Sequence, residues 1–234
     1  MNLQVTEITH YTESLFRIRT ERPSSFRFTA GEFTMIGMEG TPKRAYSLTS
    51  GPYDDYLEFY SIKVPDGPLT SRLRDITVGD YLEVSEKTTG TLTLANLELG
   101  GDLWLLATGT GIAPFISLLR DPTTYDYYDN IHVVWSVRKA EELQAWDSFL
   151  QEQGINYIPT VTQDKDWTHE NRRITELIKS GFILKELDPT KNKIMLCGSM
   201  PFNNDVKEIL INWGWTEGSN KEAGTFVQEK AFVG

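Results

Sequence analysis

Gly109 and Gly111 mark the stretch of this chain best suited to hold a phosphate group. A short apolar run at residues 103–107 precedes them and is typical of a strand buried on both faces, and apolar residues at helical spacing follow from Ile112. A strand, a glycine turn and a helix direct backbone N–H groups toward an anion. Pro114 stands in place of the third glycine of the dinucleotide fingerprint, so this stretch alone predicts a nucleotide site and a ligand-free turn equally well.

A second stretch with the same potential lies in the first half of the chain. Residues 65–68, PDGP, are a turn signal, and the segment LTSRLRDI follows with the apolar spacing of a short helix. Thr70 or Ser71 is expected near the start of that helix. The helix N-terminus is a further possible anion site, and a plain helix cap is the alternative.

Composition excludes several classes of protein. The 234 residues carry a net charge of −10, which argues against a nucleic-acid partner. The single cysteine, Cys197, excludes an internal disulfide, and the three histidines are too far apart in sequence to suggest a metal site. No apolar run approaches the roughly 20 residues that span a membrane, and the first residues do not resemble a signal peptide. We therefore expect a cytoplasmic globular protein with no metal site and no membrane partner.

The first half of the chain is predicted to form short strands. They are VTEITHY, SLFRIRTE, SFRFTA, FTMIGME, RAYSLTS, YLEFYSIKV and DYLEVSEK, with TGTLTL closing the series at Leu94. Alternation of apolar and polar residues over so many short segments predicts a small antiparallel β-barrel. The pattern changes within residues 96–101, which end in two glycines, so we expect the barrel domain to occupy residues 1–98.

The second half alternates strands and helices. Strands are predicted at IHVVWSV, INYIPTVT and KIMLCGS, besides the run before Gly109, and a last strand lies within GTFVQEKAFVG. Helices are predicted at KAEELQAWDSFLQEQ, at ITELIKSGFILKEL with a break at Gly181, and at FNNDVKEILINWG. This order predicts an α/β domain with a parallel sheet over residues 99–234, of the kind that binds nucleotides.

Together these motifs resemble the ferredoxin–NADP reductase family, and its bacterial branch in particular. The chain carries R-A-Y-S, then EFYSIKVPDGPLTSRL, then G-T-G-I-A-P, then C-G-S-M, and ends in A-F-V-G, in the order and spacing of that family. The resemblance covers nearly the whole chain. It implies FAD bound by the barrel domain, NADP bound by the α/β domain, and a C-terminal tail that returns to the flavin.

The resemblance also implies roles on the flavin side. Arg44 would hold the FAD pyrophosphate, Tyr46 would pack flat on the isoalloxazine ring, and the Ser47 hydroxyl would bond near flavin N5. Each role suits its side chain: a bidentate cation, an aromatic face and a small donor-acceptor. The other flavin contacts that the resemblance implies are Lys63, Val64, Leu69, Thr70, Ser71, Ala231 on the face opposite Tyr46, and Phe232 on the adenine.

On the nucleotide side, the resemblance implies that Thr110, Gly111 and Ile112 meet the NADP pyrophosphate. Arg138 and Arg173 would grip the nucleotide phosphates, and solvated surface charge is the alternative for both. Cys197 would lie beside the nicotinamide and is grouped with Tyr46 and Ser47 as catalytic, without a covalent role. A small core residue is the alternative for this cysteine.

The implied activity is hydride transfer between NADP(H) and FAD, with single electrons passed to a ferredoxin or flavodoxin, by a monomer. Two other functions stay open: an NAD(P)H-dependent reductase component of an oxygenase system, and an electron-carrier docking module without turnover. A bound flavin that NADPH reduces would distinguish an enzyme from such a module.

Two features of the sequence do not follow simply from the resemblance: one residue at the nucleotide site and the balance of charge. The family arginine after the third strand of the α/β domain is replaced by Gln163, followed by Asp164 and Lys165, which predicts a narrower preference for NADPH over NADH. Acidic residues also outnumber basic ones in both halves, so an acidic ferredoxin would need a local basic patch. Its candidates are Arg17, Arg19, Arg22, Arg27, Lys43, Arg72 and Arg74.

Overall fold

A computed structural model describes residues 1–186 and 188–231. Contacts divide these residues into two compact units. The first contains Met1–Gly90 and Ala113–Asp121, and the second contains Thr91–Ile112 and Pro122–Ala231. The domain boundary predicted between residues 98 and 99 stays a prediction beside this division.

The first unit is built on one antiparallel sheet, as the alternating pattern predicts. Its strands are β1 (Asn2–His10), β2 (Leu15–Glu21), β3 (Phe33–Gly37), β4 (Arg44–Ser47), β5 (Tyr56–Ile62) and β6 (Tyr81–Thr89). They follow the order β4-β3-β6-β1-β2-β5, so β4 and β5 form the two edges. Among the described residues, backbone pairing between these edges is limited to an isolated bridge, Leu48 to Phe59, and the Thr49 N–H bond to Glu58 O at 2.9 Å. The sheet is therefore barrel-like but not closed.

Two short helices complete this unit. Helix α1 (Thr70–Arg74) buries Leu73, and Leu69 just before it is also buried, in a core shared with Phe16, Ile18 and Phe59. Helix α2 (Ala113–Leu119) is buried along its whole length, and Pro114 lies in its first turn, where the missing N–H is harmless.

Two local predictions of strands in the first half of the chain are wrong. Residues 25–30 form no strand, because the guanidinium groups of Arg22 and Arg27 take the Phe26 carbonyl that a ladder would need. Strand β6 ends at Thr89, and residues 90–94 do not continue it, because Thr91 bonds through its side chain to Gln228 O and a 3₁₀ turn follows at Leu94–Asn96. Thr70 and Ser71 are the first two residues of α1, as predicted, and Leu69 occupies the N-cap position.

The second unit is built on a parallel sheet, as predicted. Its strands are β7 (Asp102–Thr108), β8 (Asn130–Val137), β9 (Asn156–Val161), β10 (Asn192–Gly198) and β11 (Phe226–Lys230), in the order β11-β10-β7-β8-β9. The chain moves outward from β7 to β8 and β9, and then returns to the other side of β7 with β10. The strand order thus reverses between β7 and β10, which is where open α/β sheets bind ligands, at the carboxyl ends of the strands.

The helices of the second unit are α3 (Thr123–Asp126), α4 (Asp147–Glu152), α5 (Ile174–Lys179) and α6 (Met200–Asn212). The short α3 was not predicted. The helix predicted from residue 139 is divided at Trp146 into a 3₁₀ segment, Ala140–Ala145, and α4. Helix α5 ends before Gly181, which adopts a φ of 67°, and residues 181–186 of the predicted helical segment are not helical. Within the described residues, no helix is long and apolar enough to cross a membrane.

Candidate functional site

The flavin motif R-A-Y-S forms the edge strand β4, paired with β3. Tyr46 is half-buried and lies edge-on to Phe59, with ring centroids 6.5 Å apart, and its hydroxyl shares a 3.0 Å hydrogen bond with Ser61. Burial raises the pKa of the Tyr46 phenol, although the bond to Ser61 acts against the shift. The ring is therefore neutral and fixed in orientation, which suits packing against a flat ligand.

Arg44 and Ser47 stand at the two ends of the same strand. Arg44 is exposed. Among the described residues, its guanidinium donates one long hydrogen bond, of 3.5 Å, to the Lys43 carbonyl. Ser47 is half-buried and pairs with Phe33 of β3. A cation without a carboxylate partner in these contacts is suited to bind a phosphate.

The loop from Lys63 to Ser71 is held by its own hydrogen bonds. The Thr70 hydroxyl accepts from the Val64 N–H at 3.1 Å, and the Gly67 N–H donates to Val64 O at 3.0 Å. A Cβ on Gly67 would collide with the Thr70 hydroxyl. The Thr70 side chain thus shapes the loop, while Lys63 is exposed and Leu69 is buried. A ligand of this loop would meet mainly backbone groups.

The G-T-G turn forms a 3₁₀ segment, Gly109–Ile112, between β7 and α2. Gly109 has a φ of 53°, a conformation that glycine adopts readily, and its carbonyl accepts a 2.8 Å bond from Trp135 Nε1. A Cβ on Gly111 would collide with the Cys197 carbonyl, so only glycine fits there. Thr110 is half-exposed, whereas Ile112 is fully buried and offers a ligand only its backbone.

The C-G-S turn after β10 lies against the end of β7. The Ser199 N–H donates to Thr108 Oγ1 at 3.1 Å, and a Cβ on Gly198 would collide with that same oxygen. Ser199 caps α6, accepting from the Phe202 N–H at 3.5 Å. Two glycine turns therefore meet at the reversal point of the sheet, packed so closely that neither Gly111 nor Gly198 has room for a side chain. This arrangement fits a dinucleotide.

Cys197 is 2% exposed, and burial raises the pKa of its thiol well above the ordinary value. The thiol is therefore protonated at neutral pH and is unsuited to act as a nucleophile.

The arginines predicted to grip the nucleotide lie at the same edge of the sheet in different settings. Arg138 is exposed just after β8, and its carbonyl accepts a 2.9 Å bond from the Gln163 N–H, which brings these two residues together. Arg173 is exposed at the start of α5, where its N–H bonds to Glu176 at 2.7 Å. Neighbouring Arg172 is instead held by Glu170 through bonds of 2.9 and 2.7 Å.

Ala231 is half-buried, and its N–H donates to Gly198 O at 3.0 Å, which places it beside the C-G-S turn. Phe232 lies outside the described residues.

The arginines and the lysine proposed as a basic patch form ion pairs or hydrogen bonds within the first unit. Arg17 and Arg19 pair with Glu7 and Glu58, and Lys43 pairs with Glu83 at 3.2 Å. The other four donate to backbone carbonyls, and Arg74 also pairs with the Asp75 carboxylate at 3.9 Å. The carbonyl acceptors are those of Pro52, Asp54 and Phe26 for Arg22, Ser24 and Phe26 for Arg27, Glu39 for Arg72, and Glu13 for Arg74.

Sequence reasoning missed Glu58, which is fully buried in β5. Its signal was available, because it is an acidic residue inside the otherwise apolar run YLEFYSI. The described residues contain no group of three or more His, Cys, Asp or Glu side chains placed to hold a metal ion.

Comparisons with known proteins agree with this geometry. Residues 105–208 match the model of the oxidoreductase NAD-binding domain. The flavodoxin/ferredoxin–NADP reductase of Rhodobacter capsulatus is 43% identical over 98% of this chain and 92% of its own length. The ferredoxin–NADP reductase of Azotobacter vinelandii is 38% identical over 98% of this chain and 96% of its length. The crystal structure of a ferredoxin–NADP reductase from Neisseria gonorrhoeae with bound FAD and NADP superposes with a TM-score of 0.92, at 30% identity, over 99% of this chain and 98% of that one.

Proposed function

The chain belongs to the ferredoxin–NADP reductase family, and we propose from this premise how its own residues perform that family's reaction. It is an oxidoreductase that exchanges hydride with NADP(H), and single electrons with a ferredoxin or flavodoxin, by means of FAD. The observation that carries the proposal is the meeting of the G-T-G and C-G-S turns at the reversal point of the parallel sheet.

Bound FAD supplies the conversion between hydride transfer and single-electron transfer. The residues of β4 would bind it. The exposed Arg44 would pair with the pyrophosphate, Tyr46 would pack against the isoalloxazine ring, and the Ser47 hydroxyl would bond near N5. Because the bond to Ser61 and the edge contact with Phe59 already fix the Tyr46 ring, little side-chain entropy remains to be lost on binding.

The loop after β5 would contribute backbone contacts to FAD. Lys63 and Val64 would line it, and Leu69, Thr70 and Ser71 would face its pyrophosphate. The Ser71 N–H already bonds to Gly67 O at 3.1 Å, so its hydroxyl rather than its amide would be the donor there. Ala231 would contact the face opposite Tyr46. The role of Phe232 against the adenine stays a prediction.

The second unit would bind NADP(H) through its glycine turns. Thr110, Gly111 and Ile112 would present backbone N–H groups to the pyrophosphate, and Cys197 with Gly198 would lie beside the nicotinamide. A protonated, buried Cys197 would serve as an apolar wall, without a covalent step. Arg138 and Arg173 would bind phosphates, and Arg173 is the candidate for the 2′-phosphate, since Gln163 stands where the family has a second arginine.

A monomeric state, a cytoplasmic location and the absence of a nucleic-acid partner also remain proposals from the sequence. Light scattering of the purified protein tests the first of them, and a dimer at micromolar concentration would contradict it.

The activity is tested by comparing ferredoxin and flavodoxin as acceptors, each with NADPH and with NADH. We expect reduction of at least one carrier with NADPH, at higher kcat/KM than with NADH. Turnover with NADH alone would favour the oxygenase-reductase alternative, and an FAD-loaded protein without turnover would favour a docking module.

A further inference from the structure

Glu58 carries a fully buried carboxylate that binds side chains from separate parts of the first unit. Its Oε1 accepts from Thr49 Oγ1 and from Arg120 Nη1, both at 2.8 Å, and its Oε2 accepts from Arg19 Nε at 2.6 Å. Arg17 Nε lies 3.4 Å from Oε2. A buried carboxylate is costly unless it is paired, so these side chains stabilise one another as a cluster.

Arg120 directly follows α2 and fastens this helix to the segment after β4. Its Nη1 also donates to Thr49 O at 2.9 Å, and Ser117 Oγ donates to Ser50 O at 2.7 Å in a buried position. A Cβ on Gly51 would lie 2.8 Å from Arg120 Cβ, so the two backbones approach closely. The C-terminal end of α2 is thus fixed by side-chain bonds and by packing.

The two segments joined by Arg120, the residues after β4 and helix α2, are each adjacent in sequence to residues proposed to bind a cofactor. Thr49 follows Ser47, the last residue of the flavin strand, by two positions. Ala113, the first residue of α2, is joined by a peptide bond to Ile112, the last residue of the G-T-G turn. Because α2 is buried along its length and close-packed interiors transmit displacement, a shift at Arg120 would reach that turn.

We propose that Arg120 is a positioning residue for the nicotinamide nucleotide. By pairing with Glu58 it holds α2, and through α2 it keeps the Gly109–Ile112 turn in the conformation that receives the pyrophosphate. This inference rests on the proposed function. Without the pairing, the turn is less ordered before NADP⁺ binds, and the additional entropy lost on binding lowers the affinity.

The test uses the FAD-loaded protein and the variants Arg120→Gln, Arg120→Lys and Ser117→Ala. Arg22→Gln is the matched control, since Arg22 also donates to backbone carbonyls of this unit, Pro52 O and Asp54 O, but not to α2. Titration calorimetry gives the Kd of NADP⁺, and hydrogen exchange reports on the amides of residues 109–113 in the absence of nucleotide.

We expect Arg120→Gln to raise the Kd about 10-fold and Ser117→Ala about 3-fold, with faster exchange at residues 109–113 and unchanged FAD content. Arg120→Lys should restore part of the affinity, because it keeps a cation near Glu58. Arg22→Gln should change the Kd by less than about twofold.

The proposal is overturned if Arg120→Gln folds and its NADP⁺ Kd and its amide hydrogen exchange at residues 109–113 both equal those of the wild-type protein. If Arg120→Gln does not fold, Ser117→Ala decides by the same two measurements. An unchanged protein that binds neither FAD nor NADP⁺ contradicts the proposed function instead, whereas intact binding in all variants contradicts only the positioning role of Arg120.

Discussion

Gly111 lies so close to the carbonyl oxygen of Cys197 that a single added carbon would overlap it. The two residues belong to segments far apart in sequence, the turn after β7 and the end of β10. Their contact closes the reversal point of the parallel sheet, and it leaves the backbone of the turn as the surface that a phosphate would meet.

Gly111→Ala should therefore weaken both folding and nucleotide binding. The methyl group must displace the backbone of β10, which costs roughly 1–3 kcal/mol of stability, and the shifted turn should bind NADP⁺ at least about 10-fold more weakly. Thermal unfolding and NADP⁺ titration measure the two effects. Gly154→Ala is the control, because Gly154 has a φ of 68° and open space around it, so that variant should lose stability but keep its NADP⁺ affinity.

Ser47→Ala should retain bound FAD and slow hydride transfer. The lost hydrogen bond near N5 is worth about 1–2 kcal/mol, which corresponds to a rate lower by roughly 5- to 30-fold. Stopped-flow reduction of the FAD-loaded variant by NADPH measures this step alone. If single-turnover flavin reduction keeps the wild-type rate, the Ser47 hydroxyl does not contribute to hydride transfer.

Arg173→Ala should raise the KM for NADPH roughly 10- to 100-fold and leave the KM for NADH nearly unchanged. The 2′-phosphate is a dianion that needs cationic donors, and Gln163 offers none. Arg172→Ala is the neighbouring control, since Arg172 is already held by Glu170. An equal effect of Arg173→Ala on both cofactors would mean that Arg173 is not the 2′-phosphate ligand.

Reduction of an acidic ferredoxin should slow by about tenfold between low salt and ~0.3 M salt, while reduction of a small neutral acceptor stays constant. Arg72 is exposed and bonded to a carbonyl, so Arg72→Gln should reduce this salt dependence. Lys43→Gln should change it less, because Lys43 is paired with Glu83. A flat salt response with ferredoxin would exclude the basic patch.

The sequence predicts the parts of this fold that local pattern determines. The strands β7, β8 and β10 are continuous apolar runs, and the turns at Gly109 and Gly198 follow them directly. Residues 25–30 have an equally good strand pattern but form none, because side chains of Arg22 and Arg27 compete for the backbone. That competition depends on tertiary contacts, which periodicity does not contain.

The candidate site divides in the same way. The R-A-Y-S and G-T-G motifs are visible in the sequence, and the structure brings the second of them against the C-G-S turn. Two other features are not visible in the sequence. The Thr70 hydroxyl accepts a bond from the Val64 N–H, which depends on the path of the loop between them. Glu58 is buried between Arg19 and Arg120, which lie on other elements of the fold.

Anaerobic addition of NADPH to the purified, FAD-loaded protein tests the central claim most directly. The account predicts a flavin absorption spectrum that bleaches within the dead time or the first seconds of mixing, and that recovers when oxidised ferredoxin or flavodoxin is added. A protein that binds FAD but is not bleached by NADPH, or one that binds no flavin when FAD is supplied in excess, would contradict it.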